Sequence, residues 1–185
     1  MWTLPNILTL MRVAFIPLLV LVFYLPWEGK YIASALVFSI AALTDWLDGY
    51  LARKLDQHTP FGAFLDPVAD KLIVAVALIL LLEANASMLF SLPVVVIICR
   101  EILISALREW MAELGRRASV AVSQIGKVKT TLQMTAIIVL LAVDPVKFQA
   151  IHYLGVGLLY GAAILTLWSM SFYLKAAWPE LRPKK

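Results

Sequence analysis

The sequence predicts an all-α integral membrane protein: one domain over residues 1–185, built as a bundle of six transmembrane helices with both termini in the cytoplasm. Three observations carry this. Of the 185 residues, 62% are hydrophobic and only 15% are charged, which is membrane composition rather than that of a water-soluble domain. Six apolar runs occur, each near the ~20 residues a bilayer core requires. Finally, Lys and Arg fall almost wholly on one side of the bundle those runs would form. The net charge of +4 matters less than this placement, and no nucleic-acid partner is expected.

The first run spans about Pro5 to Leu25. The others lie at about 31–53, 61–83, 90–111, 126–143 and 151–174. Polar or proline-containing turns separate them, at Pro26–Lys30, Lys54–Pro60, Ala84–Ser87, Leu114–Ser123 and Asp144–Gln149. Lys30 and Lys147 are alone on one side. Arg53, Lys54, Arg108, Arg116, Arg117, Lys127, Lys129, Lys175, Arg182, Lys184 and Lys185 lie toward the other, which the positive-inside rule makes cytoplasmic. Trp27 suits the outer interface, and Trp2, Trp110 and Trp178 the inner one. Residues 1–11 hold no Lys or Arg, and no small-residue cleavage site follows, so a cleavable signal is not expected.

Span one carries Asn6, Thr9 and Arg12 at i, i+3 and i+6, a polar stripe near the cytoplasmic end. It reads either as an interfacial helix with Arg12 snorkelling to headgroups or as a wall of a binding site. Spans two and three carry the densest chemistry. Asp45, Asp48, Gly49 and Ala52 fall at i, i+3, i+4 and i+7, and Gly62, Asp66 and Asp70 at i, i+4 and i+8. Each set lies on one helix face, and the short turn between the spans makes the two helices antiparallel neighbours. Asp45 and Asp70 are then the deep pair, Asp48 and Asp66 the shallow one. Thr59 and Pro60 read as cap and first-turn proline of the second helix.

Insertion scales put a charged side chain at about 2.5–3.5 kcal/mol, so four uncompensated carboxylates would cost about 10–14 kcal/mol. Four acids converging in low dielectric cannot all stay ionised alone. Bound divalent cations answer both problems, and all-oxygen ligands favour Mg²⁺ or Mn²⁺. Two ions shared among Asp45, Asp48, Asp66 and Asp70 would clamp a phosphate for displacement. Gly49 and Gly62 allow close approach beside the acids, and Arg53 at the polar end could meet a phosphate. The plain alternative is acids that line a water cavity or pair with Lys71 and Arg53.

In span four, Arg100 and Glu101 sit about halfway down, and Arg100 shares a face with Arg108 at i+8. Glu101 or the aspartates could partner Arg100 structurally; alternatively Arg100 and Arg108 open into a cavity that holds an anion. Lys127 and Lys129 begin span five beside Gly126 and are better placed for such a role than Arg116 and Arg117 on the turn. Glu83 reads as solvated at the outer end, Cys99 as packing, and His152 as too distant for catalysis. Gly157 and Gly161 form a small-xxx-small pair, either within the bundle or against another subunit.

The pattern Asp-x2-Asp-Gly-x2-Ala-Arg-x8-Gly-x3-Asp-x3-Asp, Asp45 to Asp70, resembles the signature of the CDP-alcohol phosphotransferases, and every signature position is matched without a gap. The run Pro5 to Arg12 resembles the start of many members. Arg100 to Gly115, with Ser123 to Thr131, resembles the bacterial phosphatidylglycerophosphate synthases within that family. The resemblance implies a homodimeric inner-membrane enzyme of phospholipid synthesis, its active site facing the cytoplasm. Such an enzyme transfers the phosphatidyl group of CDP-diacylglycerol to glycerol 3-phosphate and releases CMP. It implies a donor site at Asn6, Thr9, Gly49, Arg53 and Thr59, and Asp70 as general base. Glycerol 3-phosphate would be held by Arg100, Arg108, Lys127 and Lys129. Rival readings are the same chemistry with inositol phosphate or serine as acceptor, a metal- or proton-coupled transporter, and a non-catalytic lipid-binding subunit. A transporter is expected to put its acids near mid-membrane on related halves, whereas these cluster toward one side.

Overall fold

The computed structural model describes residues 3–55, 60–115 and 124–181. Within these, the side chains at 4, 5, 46, 48–53, 55, 60, 63, 124–127, 176 and 179–181 lie outside the description. Six helices run in order: α1 (Leu4–Tyr24), α2 (Lys30–Leu55), α3 (Pro60–Ala84), α4 (Met88–Glu113), α5 (Gln124–Ala142) and α6 (Gln149–Leu181). No strand occurs among the described residues. Five of the six end within a few residues of the expected spans. The exception, α6, runs past 174 because Lys175 and the alanines beside it favour continued helix.

Local chemistry sets the ends. Pro5 falls in the first turn of α1, where its missing N–H costs nothing. Ser87 caps α4 by accepting from the Phe90 backbone N–H at 3.2 Å. Beyond α4, Gly115 takes a left-handed φ of 72° and donates its N–H to the Ala112 carbonyl at 3.1 Å, a helix stop that suits a residue without Cβ. The α5–α6 turn closes on Asp144, whose carboxylate accepts from the N–H groups of Val146 and Lys147.

Among the described residues, three helices are long and apolar enough to cross a membrane: Asn6–Tyr24, Met88–Glu113 and Gln149–Lys175. The apolar part of α5, Val128–Ala142, is shorter. With 26 and 25 residues, α2 and α3 have the length, about 38 Å at 1.5 Å per residue. They carry Asp45, Asp48, Arg53 and Lys54, and Asp66, Asp70, Lys71 and Glu83, so the residues that make them interesting also lower their hydropathy. Every helix exposes large apolar side chains, among them Leu21, Ile32, Phe64, Ile102, Val128 and Ile164. Such surfaces are stable in lipid and a liability in water, and they mark a membrane protein.

The chain forms two compact units. The first comprises Met1–Asn85 with Ile137–His152, and the second Ala86–Ala136 with Tyr153–Lys185. In the first, α1 packs on both α2 and α3, and among the described residues it does so more broadly than α2 and α3 pack on each other. In the second, Ile104, Met111, Tyr173 and Ala177 form a core, with Leu107, Trp110 and Met170 packed against it. A Cβ on Gly161 would lie 3.1 Å from Leu132 Cδ2, so α6 lies close to α5 there, while Gly157 faces open space.

Two expectations need correction. Cys99 is exposed, not packed. It shares a face of α4 with the exposed Val95, Ile102 and Leu103, at helical spacing of 4, 3 and 4. Glu83 is exposed but is not merely solvated, since the Tyr24 hydroxyl donates to its carboxylate.

Candidate active site

In the first unit, the polar stripe of α1 is the hub. Asn6, Thr9 and Arg12 have relative exposures of 2%, 0% and 0%, as fully buried as the apolar core around them. Buried polar groups of this kind must be paired, and two of the pairings involve acids of the signature. Arg12 Nη1 lies 3.0 Å from Asp45 Oδ1 on α2. The Thr9 hydroxyl donates to Asp66 Oδ1 on α3. The snorkelling alternative for Arg12 is therefore wrong: its guanidinium is sequestered by a carboxylate rather than led to the headgroups.

The depth order is consistent along all three helices. Thr9 precedes Arg12 by about 4.5 Å of rise on α1. Thr9 meets Asp66, near the start of α3, while Arg12 meets Asp45, deeper on α2. One stripe thus gathers acids from two helices. The Asp45 side chain is nevertheless 46% exposed, so one side of it stays open. Asp66 and Asp70 are each half-buried, one turn apart on α3.

These donors fit a hard divalent cation in kind. Asp45 and Asp66 offer carboxylate oxygens from different helices, drawn toward the same stripe. Among the described residues, no group of three His, Cys, Asp or Glu side chains is set to hold an ion. Asp48 belongs to α2, but its side chain lies outside the described ones, as do those of Gly49 and Arg53. Thr59 lies outside the described residues altogether. Gly62 is buried.

The second unit holds the basic cluster. Arg100 and Lys129 are 7% and 4% exposed. Glu101 accepts from Arg100 Nη1 at 3.1 Å and from the Lys129 ammonium, so Glu101 is a carboxylate partner of the buried arginine. Arg100 Nη2 also donates to Ser169 Oγ on α6 at 3.0 Å. Arg108 is exposed and donates from Nη2 to the Tyr173 hydroxyl at 2.6 Å. The guanidinium carbons of Arg100 and Arg108 lie 5.6 and 4.9 Å from the Tyr173 ring centroid, within cation–π range. The shared face expected for the two arginines is therefore real. Lys127 belongs to α5, with its side chain outside the description, and Arg116 and Arg117 lie outside the described residues.

Reading the sequence missed Ser169 and Tyr173. A signal was present: Thr166, Ser169 and Tyr173 fall at i, i+3 and i+7 in an apolar helix, and all three are buried. They form a polar stripe of the same kind as that on α1.

Buried charged clusters on long apolar helices, in each of the two units, mark an integral membrane protein. The profile of the CDP-alcohol phosphatidyltransferase family matches residues 2–168, so the chain belongs to that family, which is membrane-bound and generally metal-dependent. A relative from Salmonella choleraesuis (strain SC-B67) is 56% identical over 180 residues, covering 97% of each chain. One from Pseudomonas fluorescens is 55% identical, covering 96% of this chain and 91% of its own. A third, from Shigella flexneri serotype 5b (strain 8401), is 56% identical, covering 97% of each. All three are named CDP-diacylglycerol–glycerol-3-phosphate 3-phosphatidyltransferase. The likeness first carried by Asp45 to Asp70 thus holds over nearly the whole chain.

Proposed function

We propose that the protein transfers the phosphatidyl group of CDP-diacylglycerol to glycerol 3-phosphate, giving phosphatidylglycerophosphate and CMP. The observation that carries this is the intact signature from Asp45 to Asp70 in a chain about 56% identical, over 97% of its length, to relatives bearing that enzyme's name. The gathering of Asp45 and Asp66 on the α1 stripe supports a site built from these helices.

In this reading Asn6, Thr9, Gly49, Arg53 and Thr59 receive the cytidine and pyrophosphate of the donor. Asp45, Asp48, Asp66 and Asp70 hold two Mg²⁺ or Mn²⁺ ions. Bound there, the ions supply Lewis-acid stabilisation of the pyrophosphate charge. Thr9 orients Asp66 by its hydrogen bond, and Arg12 holds Asp45 by its ion pair. Asp70 accepts the proton of the primary hydroxyl of glycerol 3-phosphate. That oxygen bonds to the phosphatidyl phosphorus as the bond to the CMP oxygen breaks, and the electron pair leaves with CMP. Arg100, Arg108, Lys127 and Lys129 hold the acceptor phosphate, since cations suit a dianion better than a neutral alcohol.

The single six-span domain, the cytoplasmic termini, the cytoplasm-facing site in a bacterial inner membrane and the homodimer belong to the same proposal. Purified protein given CDP-diacylglycerol, metal and, in turn, glycerol 3-phosphate, inositol phosphate or serine tests it. Phosphatidylglycerophosphate and CMP are expected with glycerol 3-phosphate alone, and chelation should stop both. A different product would reassign the acceptor. Failure to release CMP with any alcohol would favour a transporter or a lipid-binding subunit.

A further inference from the structure

The arrangement in the second unit assigns a role to Tyr173 that goes beyond the proposed function, and it rests on that reading for the acceptor. Arg100 and Arg108 are two helical turns apart on α4, about 12 Å of rise. Both guanidiniums nonetheless converge on one ring of α6, at 5.6 and 4.9 Å from its centroid. Two like charges gathered at one ring repel even with Arg108 exposed, and each long side chain has many rotamers through which to move away. The negative face of a phenol ring offsets that repulsion. The hydroxyl of the same ring accepts from Arg108 Nη2 at 2.6 Å and fixes its azimuth. Tyr173 is 6% exposed and belongs to the core with Ile104, Met111 and Ala177, so the platform is itself immobile. Arg100 has further anchors in Glu101 and Ser169. Arg108 is the exposed member of the pair, and the only side-chain bond described for it runs to Tyr173.

We propose that Tyr173 is a positioning residue for phosphate recognition: its ring and hydroxyl hold the Arg108 guanidinium, with Arg100 behind it, in the orientation that receives the phosphate of the acceptor. Tyr173 touches no reacting atom in this scheme. Its loss therefore weakens capture of the phosphate and leaves donor binding and the chemical step alone.

The test is steady-state kinetics of the full-length protein in detergent with CDP-diacylglycerol, comparing Tyr173→Phe, Tyr173→Leu and Arg108→Ala. Tyr173→Leu should raise KM for glycerol 3-phosphate about tenfold, with kcat and the donor KM within about twofold of the parent. Tyr173→Phe keeps the ring and the fold and loses only the hydroxyl. It should raise the same KM about threefold, a partial rescue that a merely structural role would not give. If Tyr173→Leu does not fold, Tyr173→Phe alone carries the test. An unchanged acceptor KM in the Tyr173 variants, alongside a raised one in Arg108→Ala, would overturn the role of Tyr173 and leave the acceptor reading intact. An unchanged acceptor KM in all three would remove Arg108 from the acceptor site and the proposal with it. A fall in kcat with both KM values raised together would make Tyr173 a packing residue only.

Discussion

Replacing Arg12 by methionine probes the ion pair that ties α1 to α2. Arg12→Met keeps the apolar stem and removes the charge. At the observed 3.0 Å, an effective dielectric of 20 gives a gross attraction of about 5–6 kcal/mol. Two effects reduce it. The guanidinium is wholly buried, so it has forfeited its hydration. Asp45, at 46% exposure, is screened by solvent, which moves the pair toward the weaker surface regime. A net coupling of about 1–3 kcal/mol remains. The assay is a double-mutant cycle of Arg12→Met and Asp45→Asn, read by denaturant unfolding in mixed micelles with chelator present. Arg12→Met alone should destabilise by about 2–4 kcal/mol. Adding Mg²⁺ should recover part of that loss, because a cation at the aspartates replaces the missing positive charge. A coupling below about 0.3 kcal/mol, the noise of additivity, would refute the claim that Arg12 neutralises Asp45.

The other predictions follow from the same contacts. Thr9→Val removes the donor to Asp66 at nearly constant volume and should cost about 1–2 kcal/mol of stability by the same unfolding assay. Asp70→Asn should abolish CMP release while the protein stays folded and still binds CDP-diacylglycerol; near-normal product formation would remove Asp70 as the base. Lys127→Ala should raise KM for glycerol 3-phosphate by about tenfold or more with little change for the donor, and equal weakening of both would move Lys127 to the donor site.

Much of this was legible from spacing. The signature acids declared themselves because carboxylates in apolar runs demand compensation, and their offsets put them on common faces. Arg100 and Arg108 were paired the same way, and a shared ring bears this out. Partners were less legible. Arg12 could equally have reached the headgroups, since a long side chain near a helix end can do either. Cys99 was misread because hydrophobicity says that a residue avoids water, not whether it meets protein or lipid. Tyr173 escaped notice because one tyrosine in an apolar helix resembles packing until two guanidiniums are seen within reach of its ring.

By itself the sequence determined the six helices, the membrane setting, the family through its motif, and the common face of Arg100 and Arg108. These follow from composition, periodicity and motif, which are properties of one helix or one stretch of chain. Only the tertiary structure decided that α1 is the hub joining Asp45 to Asp66, that Glu101 pairs with both Arg100 and Lys129, and that Tyr173 gathers both arginines. Those outcomes depend on how helices are rotated and translated against one another, and many distant packing contacts set that together rather than any local pattern.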